Sequence, residues 1–359
     1  MVIASSPTVG QREFEFFAVY GPTSDSHAQQ YQIFDDQIAP LMQSVVDGCN
    51  VCVMAYGQTG SGKTFSILGG SPPGEGVTGH ASSSHAELDG MFPQCLRYLF
   101  ENTAAGLSQS SLSLSMTELY LDDVYDLLSV VSTGNVKKCD VRVLANAGHS
   151  SSGTNLAQQA KVNAGGATIV GALEIQLESA EHAISLLEDG LRVRQTHKTL
   201  RNAASSRSHL ILTVTVSVGD RQSKLVFVDL AGSERVSRSL SQGERLKEAQ
   251  HINKSLSALG DVMATLSKQN GVPSHVPYRN SKLTSILQNC IGGTSKTLLF
   301  TCICPHIQHQ HNLAESLSTL QFASRTKLVR NVVQKRSRQR MQSGKGMTRP
   351  IAADESGEF

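Results

Sequence analysis

The sequence predicts an α/β domain in which a central mixed sheet, mostly parallel, lies between two layers of helices. Short apolar runs rich in β-branched residues are typical of strands buried on both faces of a sheet. Such runs occupy residues 50–56, 210–218, 224–230 and 297–304. Segments with apolar residues spaced by three and four, as in helices, occupy 30–47, 179–195, 244–268 and 312–330. A glycine-rich loop follows the first apolar run, and strand–loop–helix units of this kind occur in three-layer α/β domains.

Composition is compatible with one large domain or two of average size, since the 359 residues are 39% hydrophobic. No stretch approaches 18 uninterrupted apolar residues, and the N-terminus lacks a basic region followed by an apolar run. A zinc site at Cys49 and Cys52 would need a second pair of cysteines at similar spacing, which the sequence lacks. We therefore expect reduced thiols, no membrane insertion and a cytoplasmic location.

Charge is distributed unevenly, although the net charge is only +2. Nine Lys or Arg residues and no acidic residue lie between Arg325 and Arg349, so the rest of the chain is mildly acidic. Binding to an acidic polymer would then require a local basic patch or the tail. We expect residues 332–359 to form a basic, disordered neck or tail. Two Gly- and Ser-rich segments, 69–90 and 146–166, are expected to be surface insertions.

The glycine-rich loop matches the phosphate-binding pattern G-x4-G-K-[ST] in full. It comprises Gly57, Gln58, Thr59, Gly60, Ser61, Gly62, Lys63 and Thr64. Glycines let backbone N–H groups surround phosphates, Lys63 supplies a positive charge, and the Thr64 hydroxyl is suited to Mg²⁺. The sequence therefore predicts a nucleotide phosphate site.

Two further motifs contain residues suited to the same chemistry. The strand-like run LVFVD ends at Asp229, and Gly232 follows three positions later. An acidic residue at this place can hold Mg²⁺, and the glycine N–H can sense a γ-phosphate. The polar loop NAASSRSH carries Ser205, Ser206 and Arg207, whose hydroxyls and guanidinium could hold a metal or pair with a carboxylate. Alone, each motif is also compatible with an ordinary turn.

In this order, the three motifs resemble the P-loop, switch I and switch II of kinesin motors. The resemblance continues through residues 19–22, 44–64, 114–128, 243–266, 276–293 and 318–331, which indicates a motor domain over residues 1–331. A GTPase would carry N-K-x-D, but Asn253-Lys254 is followed by Ser-Leu. Myosins continue their Ser-Ser-Arg switch with Phe-Gly, where this chain has Ser208-His209.

The resemblance implies a microtubule-stimulated ATPase that uses ATP and Mg²⁺. The P-loop residues would hold the phosphates with Phe65 near the base, Thr64 and Ser206 would bind Mg²⁺, and Asp229 would act on the metal through water. Gly232 would contact the γ-phosphate. Arg207 and Glu234 would form a salt bridge in the hydrolysis-competent state. Ser205 and Asn253 complete the candidate catalytic residues.

The same resemblance implies that microtubules are the partner, in the cytoplasm and on the cytoskeleton. Lys254, Arg279 and Lys282 would contact acidic tubulin, and Lys327–Gln334 would begin a neck linker. Nucleic acid is not an expected partner. No heptads are sustained over three or four repeats, so any dimerisation would use regions outside this chain.

One departure from the family pattern leaves a second hypothesis open. The family's first strand, with its R-x-R-P motif near the adenine, has no counterpart before Phe14. A missing strand would expose a sheet edge and part of the adenine site. The alternative is therefore a non-motile, microtubule-binding kinesin-like protein with impaired ATPase activity.

Overall fold

The computed structural model describes most of the chain outside two long segments and the C-terminal tail. The described residues are 2–6, 10–21, 23, 25–70, 90–104, 110–143, 166–200, 205–234, 244–268, 275–304 and 310–333. The predicted insertions at 69–90 and 146–166 lie almost entirely outside these residues, as does the predicted tail beyond residue 333.

Nine of the strands in the described residues form one sheet. The strands are β1 (Val2–Ser6), β2 (Gly10–Phe14), β3 (Val51–Tyr56), β4 (Ser110–Tyr120), β5 (Asp123–Asp126), β6 (Lys137–Val143), β7 (Ala167–Val170), β8 (Ile175–Leu177), β9 (His209–Val218), β10 (Arg221–Asp229) and β11 (Lys296–Thr301). The order in the sheet is β11-β3-β10-β9-β4-β5-β6-β7, and β8 pairs with β4. β1 and β2 form a separate antiparallel pair. The four strands predicted from apolar runs are confirmed.

The sheet is mixed, as predicted, but its parallel pairing is confined to the strand that precedes the glycine-rich loop. β3 runs parallel to both β10 and β11. The other pairings of this sheet in the described residues are antiparallel. The description "mostly parallel" therefore holds only around β3. Tight turns account for part of the difference: Gly219 joins β9 to β10, and Leu121 and Asp122 join β4 to β5, all with positive φ.

The four predicted helical segments are confirmed within a larger set of helices. These are α1 (Ser26–Ile33), α2 (Ala39–Val46), α3 (Lys63–Leu68), α4 (Met91–Ala104), α5 (Ser129–Thr133), α6 (Ala180–Leu200), α7 (Glu244–Leu266), α8 (Lys282–Ile286) and α9 (Gln310–Thr326). A π-helical turn over Phe34–Ile38 connects α1 to α2. The Asp25 side chain caps α1 by accepting a hydrogen bond from the Ala28 N–H at 2.8 Å.

Within the described residues, the core has two large parts, one on each face of the sheet, and a small third cluster of Phe14, Leu317 and Leu320. Val53 of β3 belongs to the cluster that contains Phe92 of α4, whereas its neighbour Met54 belongs to the cluster that contains Val262 of α7. Successive side chains of a strand point to opposite faces, so helices cover both sides of β3. This arrangement confirms the three-layer prediction. Among the described residues, no helix is long and apolar enough to cross a membrane.

Candidate active site

The glycine-rich loop connects β3 to α3 through two positions that favour glycine. A Cβ atom at Gly57 would overlap the backbone carbonyl oxygen of Cys302, just beyond β11. Gly62 precedes the first turn of α3 with φ of 95°, in the left-handed region. The loop therefore closes tightly over the carboxyl ends of β3 and β11, and directs the N-terminus of α3 towards the site.

Lys63 begins α3 and lies inside the loop. Its side chain is buried, and its ammonium group donates a hydrogen bond to the Gln58 carbonyl at 2.8 Å. Burial lowers the pKa of Lys63, although the nearby groups of Asp229, Cys302 and Glu234 oppose this shift. The positive charge is thus held over the loop by a carbonyl that a phosphate oxygen can replace as acceptor.

Two of the three predicted metal-site residues, Thr64 of α3 and Asp229 of β10, are in direct contact. The Thr64 hydroxyl donates to Oδ2 of Asp229 at 2.6 Å. Asp229 ends β10, next to Ala55 of the parallel strand β3, and ligands of α/β proteins bind at such carboxyl ends. The other carboxylate oxygen, Oδ1, is buried and has no hydrogen-bond partner.

This arrangement fits Mg²⁺ better than a metal held by protein ligands alone. An unpartnered buried carboxylate oxygen beside a hydroxyl offers hard oxygen ligands, which Mg²⁺ prefers. Among the described residues, no group of three or more His, Cys, Asp or Glu side chains could hold a metal. Magnesium sites that share one or two protein ligands with substrate phosphates and water have this composition.

The predicted switch residues meet each other next to the loop. Ser205–Arg207 form a 3₁₀ turn before β9, and the Ser206 carbonyl accepts a hydrogen bond from the Gly232 N–H at 2.9 Å. Ser206 and Arg207 are partly buried. The N–H predicted to sense a γ-phosphate is therefore bonded to switch I in this conformation.

Glu234 is bonded to the P-loop. Its carboxylate accepts a hydrogen bond from the Thr59 N–H at 2.8 Å and another from the Thr59 hydroxyl. The neighbouring Ser233 N–H donates to the Gly57 carbonyl at 3.1 Å. The end of switch II thus lies on the loop that is predicted to bind phosphates, and the bridge between Arg207 and Glu234 stays a prediction.

A buried network that the sequence did not reveal lies beneath the switches. Arg194 of α6 is bonded to Glu118 of β4, with 3.0 Å between Nε and Oε1, and donates to the carbonyl and the hydroxyl of Ser208. Its Nη1 lies 3.8 Å from Oδ2 of Asp229. One signal was available: Arg194 follows Leu187 and Leu191 at helical spacing, which places a charge on the apolar face.

His209 is the second site residue that sequence reasoning missed as a functional group. It begins β9 and is buried. Its Nδ1 accepts from the Ala231 N–H at 3.0 Å, and its Nε2 lies 2.9 Å from the Ser255 hydroxyl on α7. Burial and the charges of Arg194 and Lys63 lower its pKa to about 3, so the ring is neutral at pH 7.

The remaining candidates lie outside the glycine-rich loop. Phe65 and Asn253 are partly buried, on α3 and α7 respectively. Lys254 is exposed on α7, and Arg279 is exposed on a 3₁₀ turn that packs near α7 and α8. Lys282 of α8 is partly buried, with its Nζ 3.8 Å from Asp123. Its charge is therefore shared with a carboxylate of the chain itself.

Comparisons with known proteins agree on one family. A family model described as the kinesin motor domain matches residues 3–329. Kinesin-like protein KIN-14G of Arabidopsis thaliana is 40% identical over 322 residues, which are 88% of this chain and 29% of that protein. KIN-14M of Oryza sativa subsp. japonica is 39% identical over 322 residues, 88% of this chain and 24% of that protein. This chain thus spans less than a third of either relative.

A solved structure supports the same assignment. The structure of a fast kinesin aligns with a TM-score of 0.68 and 33% identity, and the alignment covers 84% of this chain and 77% of that one.

Proposed function

Because the chain belongs to the kinesin motor domain family, we propose that it hydrolyses ATP to ADP and phosphate and couples turnover to binding and release of microtubules. The observation that carries the proposal is the contact between Thr64 and Asp229 at the end of the glycine-rich loop. It places a hydroxyl, a carboxylate with one unpartnered oxygen, and Lys63 around one position. Phosphoryl transfer depends mainly on such positioning and charge stabilisation.

The P-loop residues bind the phosphates of ATP, and Phe65 lies beside the base. Thr64 and Ser206 would hold Mg²⁺, with Asp229 behind it through water. When bound, the metal neutralises charge on the β- and γ-phosphate oxygens. Ser205 and Asn253 remain candidates for contacts with the reacting groups.

Two hydrogen bonds of the switches would be exchanged when ATP binds. The Gly232 N–H exchanges the Ser206 carbonyl for the γ-phosphate, and the Glu234 carboxylate leaves Thr59 when phosphate approaches the loop. Two anions next to each other repel, so phosphate in the loop favours the displacement of Glu234. Glu234 then pairs with Arg207, which links the closed site to hydrolysis.

Microtubule binding uses the elements that follow switch II in the chain, which are α7, the 3₁₀ turn at Arg279 and α8. Lys254, Arg279 and Lys282 contact acidic tubulin, and raised salt weakens binding because exposed charge pairs are screened. The neck-linker segment responds through its contacts with Gly292 and Gly293, which precede β11. The Asn331 side chain accepts from the Gly292 N–H at 2.7 Å, and the Val332 N–H donates to the Gly293 carbonyl at 2.8 Å. We place this activity on the cytoplasmic cytoskeleton and any dimer contacts outside this chain.

Steady-state ATPase measurements with and without microtubules test the proposal. Arg207→Ala and Glu234→Ala are expected to retain ATP binding but to lower microtubule-stimulated turnover by about a hundredfold, since each removes a charge from the closed site. Arg192→Ala is the matched control, because Arg192 is exposed on α6 and paired with neighbours on its own helix. Equal turnover in both variants and the parent would contradict the assigned roles.

The same assay separates the motor from the alternative function. A parent chain that co-sediments with microtubules but shows no stimulated hydrolysis would support a non-motile microtubule-binding protein. A chain that neither binds microtubules nor hydrolyses ATP would reject both.

A further inference from the structure

We infer that His209 is a positioning residue that transmits movement of the switch II backbone to helix α7 through Ser255. The inference rests on the proposed function, because it concerns how the nucleotide site communicates with the microtubule-facing helix. It assigns a role to two residues that neither phosphate nor metal is expected to touch.

The His209 side chain joins three elements that the proposed cycle moves relative to each other. His209 begins β9 directly after the switch I turn. Its Nδ1 lies 3.0 Å from the N–H of Ala231, which precedes Gly232 in switch II. Its Nε2 lies 2.9 Å from the hydroxyl of Ser255 on α7.

The Ala231 N–H determines the direction of both hydrogen bonds of the His209 ring. Since the Ala231 N–H can only donate, Nδ1 of the ring must accept, and the proton of the neutral imidazole lies on Nε2. Nε2–H then donates to Ser255. Both nitrogens are satisfied: the Ala231 N–H fixes the tautomer, and the Ser255 hydroxyl, which can donate or accept, takes the role of acceptor.

Both side chains of this connection are buried. His209 is 3% exposed and Ser255 is 7% exposed, so water offers little replacement for a broken bond. A buried donor or acceptor that loses its partner carries the desolvation cost of that group. When Gly232 exchanges Ser206 for phosphate and Ala231 moves with it, the ring must follow or lose a bond. In either case, the position of Ser255 and the N-terminal half of α7 is biased by the state of switch II.

The test uses variants that remove one end of this connection. Ser255→Ala removes the hydroxyl on α7 that accepts from His209, and Ser255→Thr restores a hydroxyl. Ser257→Ala is the matched control, because Ser257 is on the same helix and exposed. His209→Asn keeps a short acceptor for the Ala231 N–H but does not reach Ser255.

We expect Ser255→Ala to bind nucleotide and hydrolyse ATP without microtubules within about twofold of the parent. The factor by which microtubules stimulate turnover should fall about fivefold, as expected for the loss of one hydrogen bond. Ser255→Thr should recover most of it. Adding Ser255→Ala to His209→Asn should lower the stimulation no further, because both changes break the same connection.

A second measurement, amide hydrogen exchange over residues 253–266, does not need microtubules. In the parent and in Ser257→Ala, exchange in α7 should differ between ADP and a non-hydrolysable ATP analogue. In Ser255→Ala this difference should disappear. The inference is overturned if Ser255→Ala and Ser257→Ala behave alike, or if the parent binds both nucleotides with no difference in α7. A parent that binds neither nucleotide would instead contradict the proposed function.

Discussion

Replacing Arg194 by Ala should be one of the most destabilising single changes near the site. The Arg194 and Glu118 side chains are 4% and 3% exposed, and their contact is 3.0 Å long. After the substitution, the Glu118 carboxylate stays buried and keeps the Ser208 hydroxyl, at 2.6 Å, but loses its cation. Removing one partner of a buried ion pair typically costs about 3–5 kcal/mol, because the remaining charge is left uncompensated.

Helix α6 supplies the control for this prediction. Arg192 lies two residues earlier, its side chain is 70% exposed, and it pairs with Glu188 and Asp189. Exposed ion pairs contribute about 0.2–1 kcal/mol, so Arg192→Ala should have a small effect. The free energy of unfolding of parent and variants would be measured by urea denaturation at pH 7. The slope with urea should be unchanged, so that the midpoint alone reports stability.

A double variant separates the charge from the packing of Arg194. Glu118→Gln alone leaves the guanidinium buried without its nearest carboxylate and should also destabilise the fold. Arg194→Met combined with Glu118→Gln removes both charges and should cost less than the sum of Arg194→Met and Glu118→Gln measured singly, by about 1–3 kcal/mol. The reasoning is refuted if Arg194→Ala costs no more than Arg192→Ala, or if the two changes are additive.

Two further predictions concern protonation and the glycine-rich loop. The free energy of unfolding should fall by roughly 1 kcal/mol between pH 7.5 and pH 5.5 because of His209, whose pKa is about 3 in the fold and about 6.5 when unfolded, so the unfolded chain binds the proton first. Thermal unfolding of the parent and His209→Asn at both pH values checks this, and an equal loss in the two would contradict it. Gly57→Ala should weaken nucleotide binding at least tenfold in a fluorescent-nucleotide titration, because its Cβ overlaps the Cys302 carbonyl. Gly260 lies in α7, and an added Cβ there would have no neighbouring atom within 4 Å. Gly260→Ala should therefore retain nucleotide binding and stabilise the fold by about 0.4–1 kcal/mol. Equal binding in both alanine variants would show that the glycine-rich loop tolerates the extra atom.

The sequence was most informative where local pattern and local structure coincide. The run VCVMAY is apolar at successive positions because β3 is buried on both faces. The loop that follows it, Gly57–Thr64, needs glycine at Gly57 because a Cβ atom there would overlap the Cys302 carbonyl just beyond β11. The antiparallel half of the sheet was less evident. In β4, Leu112, Leu114 and Met116 alternate with serines, which is a strand pattern of period two and contains no continuous apolar run.

Contacts between distant segments were beyond the reach of the sequence alone. Glu234 and Thr59 are 175 positions apart, and Arg194 and Glu118 are 76 apart. Pattern can show that a charge falls on an apolar face, as at Arg194, but the partner depends on how α6 packs against the sheet. The same applies to His209, whose two hydrogen bonds depend on the placement of switch II and α7 together.

The hydrogen bonds around the nucleotide site are of two kinds: those that cannot exchange one partner for another and those that can. Only bonds of the second, exchangeable kind can take part in switching. Arg194 holds Glu118 and Ser208 in a buried network, where a lost partner cannot be replaced by water. The bond from the Thr59 N–H to Glu234 is exposed, and a phosphate oxygen can replace its acceptor. Bonds of the second kind can break during each cycle at little cost, whereas those of the first kind hold the ends of β4, β9 and β10 in place. Substitutions in the buried network should therefore appear mainly in stability, and substitutions at Glu234 mainly in turnover.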